Sequence, residues 1–226
     1  MLAFELTPEI LVAAYAEGIF PMAESADAAE LFWVDPYRRG ILPLESFHVP
    51  RRLKRLLRQD RFEIRCDSAF EEVMRGCAEA SEKRPNTWIN EEILRLYLAL
   101  YRQGAAHTVE TWREGRLAGG LYGVSLGAAF FGESMFSRER DASKLALVHL
   151  AARLKEGGYT LLDIQFLTPH LARFGGIEIS RARYRRLLRE ALSQRASFPL
   201  LLPAGGEAGG GGEAALAALQ ARTLTS

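Results

Sequence analysis

The chain has 226 residues, 48% of them hydrophobic and 25% charged, with a formal net charge of +1. Such a chain is ordinary for a globular protein and can bury a sizeable core, as one domain or as a main domain with a small companion. Near-neutrality excludes a globally basic nucleic-acid coat, and the two cysteines, Cys66 and Cys77, supply neither a disulfide framework nor metal-ligand spacing.

Taken in chain order, "LTPEILVAAYAEGIFPM" predicts a helix with Thr7 as N-cap, Pro8 at its first position and Gly18 as its stop. The segment lacks the basic leader and cleavage signature of a signal peptide. No stretch approaches the ~20 apolar residues of a membrane span, so a cytoplasmic protein with no membrane partner is expected. Residues 23–40 are turn-rich and read as a connection, giving a small N-terminal domain over 1–40 and a main domain over 41–200. "HVPRRLKRLLRQ" predicts an amphipathic helix with Leu53, Leu56 and Leu57 on one face and Arg51, Arg55 and Arg58 on another. "RFEIRCD" alternates as a strand does, while "SAFEEVMRGCAEAS" and "NEEILRLYLALYRQG" return to helical spacing.

Two strands follow, "AHTVETWRE" and "RLAGGLYGVSLG", joined by a turn at Glu114-Gly115, and then a third, "AAFFGES". "ASKLALVHLAARLKEGG" predicts a helix capped by Asp141 and closed by Gly157-Gly158. "YTLLDIQFL" has the apolar run of a central strand, and "SRARYRRLLREALSQ" predicts a basic amphipathic helix. The tail over 204–226 is Gly-rich and low in complexity, the composition of a disordered segment. Helices alternating with strands that pair as meanders predict an α+β or mixed α/β fold.

HExxH, CxxC and P-loop patterns are missing, and the four histidines show no metal-ligand spacing. Within "LLDIQFL", strand alternation puts Asp163 and Gln165 on one face and Leu162, Ile164 and Phe166 on the other. Two polar side chains on such a strand are costly unless each finds a partner, or the strand is an edge with a solvated face. Glu133 poses the same choice, as a surface turn carboxylate or as a group held for a purpose. Leu147, Leu150 and Leu154 follow helical spacing as a core stripe does. Arg51, Arg52, Lys54, Arg55 and Arg58 form either a solvated helix face or a local patch for a phosphate backbone.

The segments "AYAEGIFPM", "LPLESFHVPRRLKR", "TWINEEI", "AHTVETWREGRLAGGLYGVSLG", "FFGESMFSRERDASKLAL" and "LLDIQFLTPHLARFGG" resemble, in order, the leucyl/phenylalanyl-tRNA–protein transferases. The resemblance runs from about residue 6 to residue 190, and GESMFS…DASK followed by LLD-x-Q is its most specific part. It implies a small N-terminal domain followed by a domain like the GCN5-related acetyltransferases. It also implies transfer of Leu or Phe, and to some extent Met, from aminoacyl-tRNA to the N-terminal Arg or Lys of acceptor proteins, which marks them for N-end-rule degradation. Neither metal nor cofactor is implied.

Carried over from the resemblance, Glu133, Asp163 and Gln165 match the family's hydrogen-bonded active-site network. Phe130, Met135, Leu147, Leu150, Leu154 and Leu162 fall where the family lines its aminoacyl side-chain pocket. Trp88 and Tyr15 match aromatic positions near the terminal adenosine of the tRNA. After "GIFP" some relatives carry a tryptophan where this chain has Met22. In the implied aminolysis, Gln165 accepts a hydrogen bond from the attacking amine and Asp163 fixes the amide's orientation; the ribose 2′-hydroxyl is an alternative carrier of the proton. Rival readings are an acetyl-CoA-dependent N-acetyltransferase, a non-catalytic tRNA-binding module, and the sister transferase for acidic N-termini. The first requires a pyrophosphate-binding turn of the R/Q-x-x-G-x-G/A type, which the chain lacks.

Overall fold

The computed structural model of the chain describes residues 6–26, 28, 30–80, 87–201 and 211–221. Local chemistry starts several elements where the sequence predicts them. Helix α1 (Pro8–Ala16) begins with Thr7 Oγ1 accepting the Ile10 N–H at 3.4 Å. Helix α4 (Glu91–Arg102) begins with Asn90 Oδ1 accepting the Ile93 N–H at 2.9 Å. Strands β5 (Ala106–Arg113) and β6 (Arg116–Leu126) are joined by Glu114 and Gly115 at φ +51° and +73°, the left-handed pair whose twist matches a hairpin. Strand β7 (Ala129–Ser137) continues the antiparallel meander.

Residues 23–40 hold more order than turn chemistry predicts. Strand β1 (Phe20–Ala23) pairs with β2 (Leu31–Val34) in a small hairpin, and β3 (Arg38–Ile41) enters the main sheet. The domain boundary expected at residue 40 therefore falls inside a strand of that sheet. With β4 (Glu63–Cys66), β8 (Leu161–Gln165) and β9 (Ile177–Ser180), the seven-stranded order is β4-β5-β6-β7-β8-β3-β9. Only β7 and β8 run parallel. Strand β8 is thus interior, flanked by β7 and β3, and every one of its residues is buried.

Adjacent residues of the central strands feed opposite cores, as the pleat demands. Leu121, Phe130 and Leu162 join one cluster with α2 (Arg51–Arg58) and α5 (Ala142–Glu156). Tyr122, Phe131 and Leu161 join the other with α1, α3 (Phe70–Ala78), α4 and α7 (Arg181–Leu192). The result is a mixed α/β fold with helices on both faces of the sheet and a small N-terminal part. Helix α5 is buried on most sides because the sheet lies beneath it and another helix lies above. Among the described residues no helix is long and apolar enough to cross a membrane.

That covering helix corrects the expectation of a disordered tail. Residues Gly211–Gln220 form α8, which buries Ala214, Ala215, Leu216 and Ala218 against α5 and α2. The Gly run suggests disorder, but the "EAALAALQ" that follows is a strong helix former with an apolar face to bury. Residues 204–210 and 222–226 lie outside the described residues. Lys155 Nζ donates to the carbonyls of Leu219 (3.1 Å) and Ala221 (2.6 Å), closing the end of α8, and Arg58 Nε meets Glu213 Oε1 at 2.9 Å. A Cβ on Gly212 would lie 2.1 Å from the Leu57 carbonyl oxygen, so only glycine permits this approach. Gly212→Val is expected to undock α8: amides of 213–220 exchange rapidly with solvent while those of β6 stay protected. Equal protection of α8 in variant and wild type contradicts the contact.

Candidate active site

The ladder between β7 and β8 runs from Ala129↔Leu161 to Phe131↔Asp163 and then stops, so the two strands part. On its other side β7 pairs Gly132 with Gly123 and Ser134 with Tyr122, leaving Glu133 as the extra residue of a β-bulge. Bulges re-aim side chains. Glu133 sits where the strands separate, on a cavity of about 280 Å³. Leu121, Met135, Leu147, Leu150, Leu162, Ile164 and Leu171 make its walls apolar, while Glu133, Gln165, Thr168 and His170 supply most of its polar groups; Leu171 and His170 come from the short helix α6 (Pro169–Ala172). Met135 also borders a second hollow of about 290 Å³, shared with Gly76, Phe136 and Arg138.

The site is anchored by a residue that sequence reasoning missed. Arg39, 1% exposed on β3, donates from Nε to Asp163 Oδ1 (2.9 Å) and from Nη2 to Oδ2 (2.6 Å). Its Nη1 donates to the Gly18 carbonyl at 2.9 Å, and its guanidinium lies 4.6 Å from the Phe20 ring centroid and 4.5 Å from that of Tyr184. Burial opposes this charge, but Asp163 outweighs burial and holds the guanidinium above its ordinary pKa. Tyr184 donates its hydroxyl to Asp163 Oδ2 at 2.6 Å.

Asp163 then shapes the backbone of Gln165. Its Oδ1 accepts the Gln165 N–H at 2.8 Å, and the chain turns so tightly that the Phe166 N–H reaches the Ile164 carbonyl at 2.5 Å. Gln165 stands at φ +53°, a γ-like, left-handed conformation costly for a residue with a Cβ. A Cβ on Gly40, its partner on β3, would lie 2.8 Å from the backbone of Phe166 and Leu167. The turn corrects the expectation that Asp163 and Gln165 share a face. Gln165 joins Leu162 and Ile164 on the cavity while Asp163 points to Arg39. Asp163 therefore orients the backbone of Gln165 and not its side-chain amide.

Two amide orientations of Gln165 fit one shape. With Nε2 toward Glu133 there is a single 3.3 Å bond to Oε1, and the amide oxygen faces carbonyls. Turned over, the nitrogen donates to the Gly132 carbonyl at 2.9 Å and the Ile164 carbonyl at 3.2 Å. The second orientation satisfies more groups and is the one we adopt. It sets the amide oxygen against Glu133, which must then carry a proton to donate. The surroundings favour that proton. Burial pushes the Glu133 carboxyl up to about 8, with the Asp163 charge adding to it and hydroxyls opposing. Tyr97 donates to Glu133 Oε2 at 3.2 Å, and the Tyr97 hydroxyl bonds that of Tyr15.

The remaining predicted residues divide. Met135, Leu147, Leu150 and Leu162 line the cavity, whereas Phe130 and Leu154 are fully buried behind it; Phe130 packs on Tyr159 and Phe198. Tyr15 is 0% exposed with its ring on Phe131, so it offers no face to a base, and its hydroxyl belongs to the Glu133 network instead. Trp88 is half-buried against the core beneath α1 and α4. On α2, Leu53 and Leu57 are buried while Arg51, Arg52, Arg55 and Arg58 are exposed and Lys54 is half-buried. Arg52 Nη2 meets Asp141 Oδ2 at 2.8 Å. On the other basic helix, α7, Arg181 and Arg185 both hold Asp35, at 3.1 and 2.9 Å. Asp141 precedes α5 as predicted but caps nothing with its side chain; Ser137 Oγ accepts the Ser143 N–H at 3.0 Å instead.

Comparison with known proteins gives concordant matches. Residues 41–189 match the family described as leucyl/phenylalanyl-tRNA protein transferase, and residues 4–36 match its N-terminal domain. A leucyl/phenylalanyl-tRNA–protein transferase of Paramagnetospirillum magneticum is 62% identical over 193 residues, 85% of this chain and 92% of the relative. Another so named, from Phenylobacterium zucineum, is 57% identical over 206 residues, 91% and 93% of the two chains. The solved structure of FemX is similar at 11% identity and a TM-score of 0.49, with 76% of this chain and 66% of that chain covered.

Two outcomes are expected from this geometry. Arg39→Met leaves the Asp163 carboxylate buried and uncompensated, lowering stability by about 3–5 kcal/mol in urea unfolding, and Arg39→Met/Asp163→Leu recovers part of that loss. Between about pH 4.5 and 8 the native protein holds a proton on Glu133 that the unfolded chain has lost. Stability from this group therefore falls as pH rises through that window, and Glu133→Gln flattens the decline when unfolding is compared at its two ends.

Proposed function

The chain belongs to the leucyl/phenylalanyl-tRNA protein transferase family, and on that premise we propose that it moves Leu or Phe, and to some extent Met, from aminoacyl-tRNA to the N-terminal Arg or Lys of acceptor proteins, marking them for N-end-rule degradation. The observation that carries this reading is an apolar cavity closed by a carboxyl and an amide, Glu133 and Gln165. An aliphatic or aromatic side chain suits the walls, gaining about 0.8 kcal/mol per buried methylene, and leaves its carbonyl beside the polar end.

The reaction is aminolysis. The α-amine of the acceptor attacks the ester carbonyl, the C–N bond forms, the bond to the ribose oxygen breaks, and the proton that the nitrogen gives up passes to that oxygen, so the ribose leaves as an alcohol. An α-amino group titrates near 7.7–8.0, so roughly a tenth is neutral at pH 7 and no strong base is needed. Holding amine and ester in attack geometry supplies the acceleration. Gln165 accepts a hydrogen bond from the amine through its carbonyl oxygen, its amide held by the Gly132 and Ile164 carbonyls. Asp163 and Arg39 act one step back, by fixing the turn that presents Gln165. A cationic acceptor brought against Glu133 favours the carboxylate, and the proton passes to solvent. Arg51, Arg52, Lys54, Arg55 and Arg58 take phosphates of the tRNA, and Trp88 is assigned to its terminal adenosine.

Incubation with labelled leucyl-tRNA and a peptide beginning with Arg is expected to label the peptide; no transfer overturns the reading. Glu133→Gln should raise KM for the acceptor more than KM for the donor. Isoleucyl-tRNA, whose β-branch puts bulk next to the reacting carbon, should be a poorer donor than leucyl-tRNA.

A further inference from the structure

Asp141 sits at the start of α5 at φ +67°, its side chain only 9% exposed, and three cations converge on its carboxylate. Arg52 Nη2 approaches Oδ2 at 2.8 Å from α2, Arg140 Nε approaches the same oxygen at 3.8 Å, and Lys144 Nζ bonds Oδ1. One negative charge thus gathers three positive ones, and the cations keep their outer faces in solvent: Arg52 is 60%, Arg140 79% and Lys144 38% exposed. The cluster lies beside the cavity. Lys144 is one helical turn before Leu147, which lines the cavity wall, so the two share a face of α5. Lys144 and Arg173 also stand close enough to depress the pKa of His170, after the burial of that ring, and His170 is itself part of the cavity lining.

We infer that Arg52, Arg140 and Lys144, gathered by Asp141, form a phosphate subsite for the last internucleotide linkages of the donor RNA, joining the basic helix α2 to the mouth of the aminoacyl cavity. The inference rests on the transferase reading above. The chemistry is specific enough to name the ligand. A net-positive cluster with exposed donors suits a phosphodiester, and the cavity beside it admits only the aminoacyl end of that strand. Asp141 serves as an internal counter-ion that holds flexible side chains near one another, so less side-chain freedom is lost when a phosphate arrives. Arg51 and Arg55, on the same helix as Arg52, lie outside the cluster and would meet phosphates further along the RNA.

The test compares three donors of one amino acid: aminoacyl-adenosine, which has no phosphate, an aminoacylated CCA trinucleotide, and full aminoacyl-tRNA. The readout is the ratio of kcat/KM for the trinucleotide to that for the adenosine donor. Lys144→Gln and Arg52→Gln should each lower this ratio about three- to tenfold and make the salt slope of trinucleotide binding shallower by roughly 0.7. Lys144→Arg, which keeps the charge, should restore most of the ratio. Arg51→Gln/Arg55→Gln should weaken full aminoacyl-tRNA while leaving the trinucleotide-to-adenosine ratio near that of wild type. The subsite is overturned by an unchanged ratio in Lys144→Gln, by equal losses on both small donors, or by a loss confined to full-length tRNA. If the wild-type protein transfers from none of the three, the transferase reading fails and takes the subsite with it; transfer by wild type with an unchanged ratio overturns the subsite alone.

Discussion

A buried pair of charges, Arg39 and Asp163, is the contact on which the rest of the site depends. Removing two ions from water is expensive, and such a pair is tolerable only when its hydrogen-bonding groups are matched. Here the match draws in distant parts of the chain: the Gly18 carbonyl after α1, Phe20 of β1, Arg39 of β3, Asp163 of β8 and Tyr184 of α7. The N-terminal segment is thereby locked to β8 by geometry that tolerates little slack. The strained turn at Gln165 is one dividend: a left-handed glutamine persists because an already immobilised carboxylate holds its N–H.

The two acidic residues of the site illustrate how environment separates groups of the same kind. Asp163 faces a guanidinium. Glu133 faces hydroxyls and an amide, dipoles too weak to offset its desolvation, so its carboxyl retains a proton well above the usual carboxylate range. The β-bulge that leaves Glu133 unpaired on β6 and the early end of the β7–β8 ladder create the space into which both the carboxyl and the amide look. Backbone irregularity and side-chain chemistry coincide at this point, a common arrangement at functional sites.

Much of this was legible in the sequence because it depends on local periodicity. Helices α1, α2, α4 and α5, the β5–β6–β7 meander and the interior position of β8 follow from spacing, caps and turn residues. The stretch from Phe130 to Leu147 announces a site through its specific order of residue types. Hidden features depend on partners far away along the chain. Strand β3 is four residues long, too short for a period, and nothing local distinguishes exposed Arg38 from buried Arg39. The flip of Gln165 breaks the alternation on which its predicted face relied. Tyr15 has the residue type of a base-stacking platform but a place in the core, and α8 is masked by the glycines that precede it.

Met135 gives the cavity beside Glu133 an unusual wall. Hollows lie on both of its sides, so this unbranched thioether can change rotamer without displacing close-packed neighbours. Three of the other boundaries, Leu147, Leu150 and Leu162, belong to the packed interior and cannot yield in that way. On that side the cavity thus has a sliding partition against a packed wall. Its depth is set by the rotamer of a single residue, with no expansion of the fold around it.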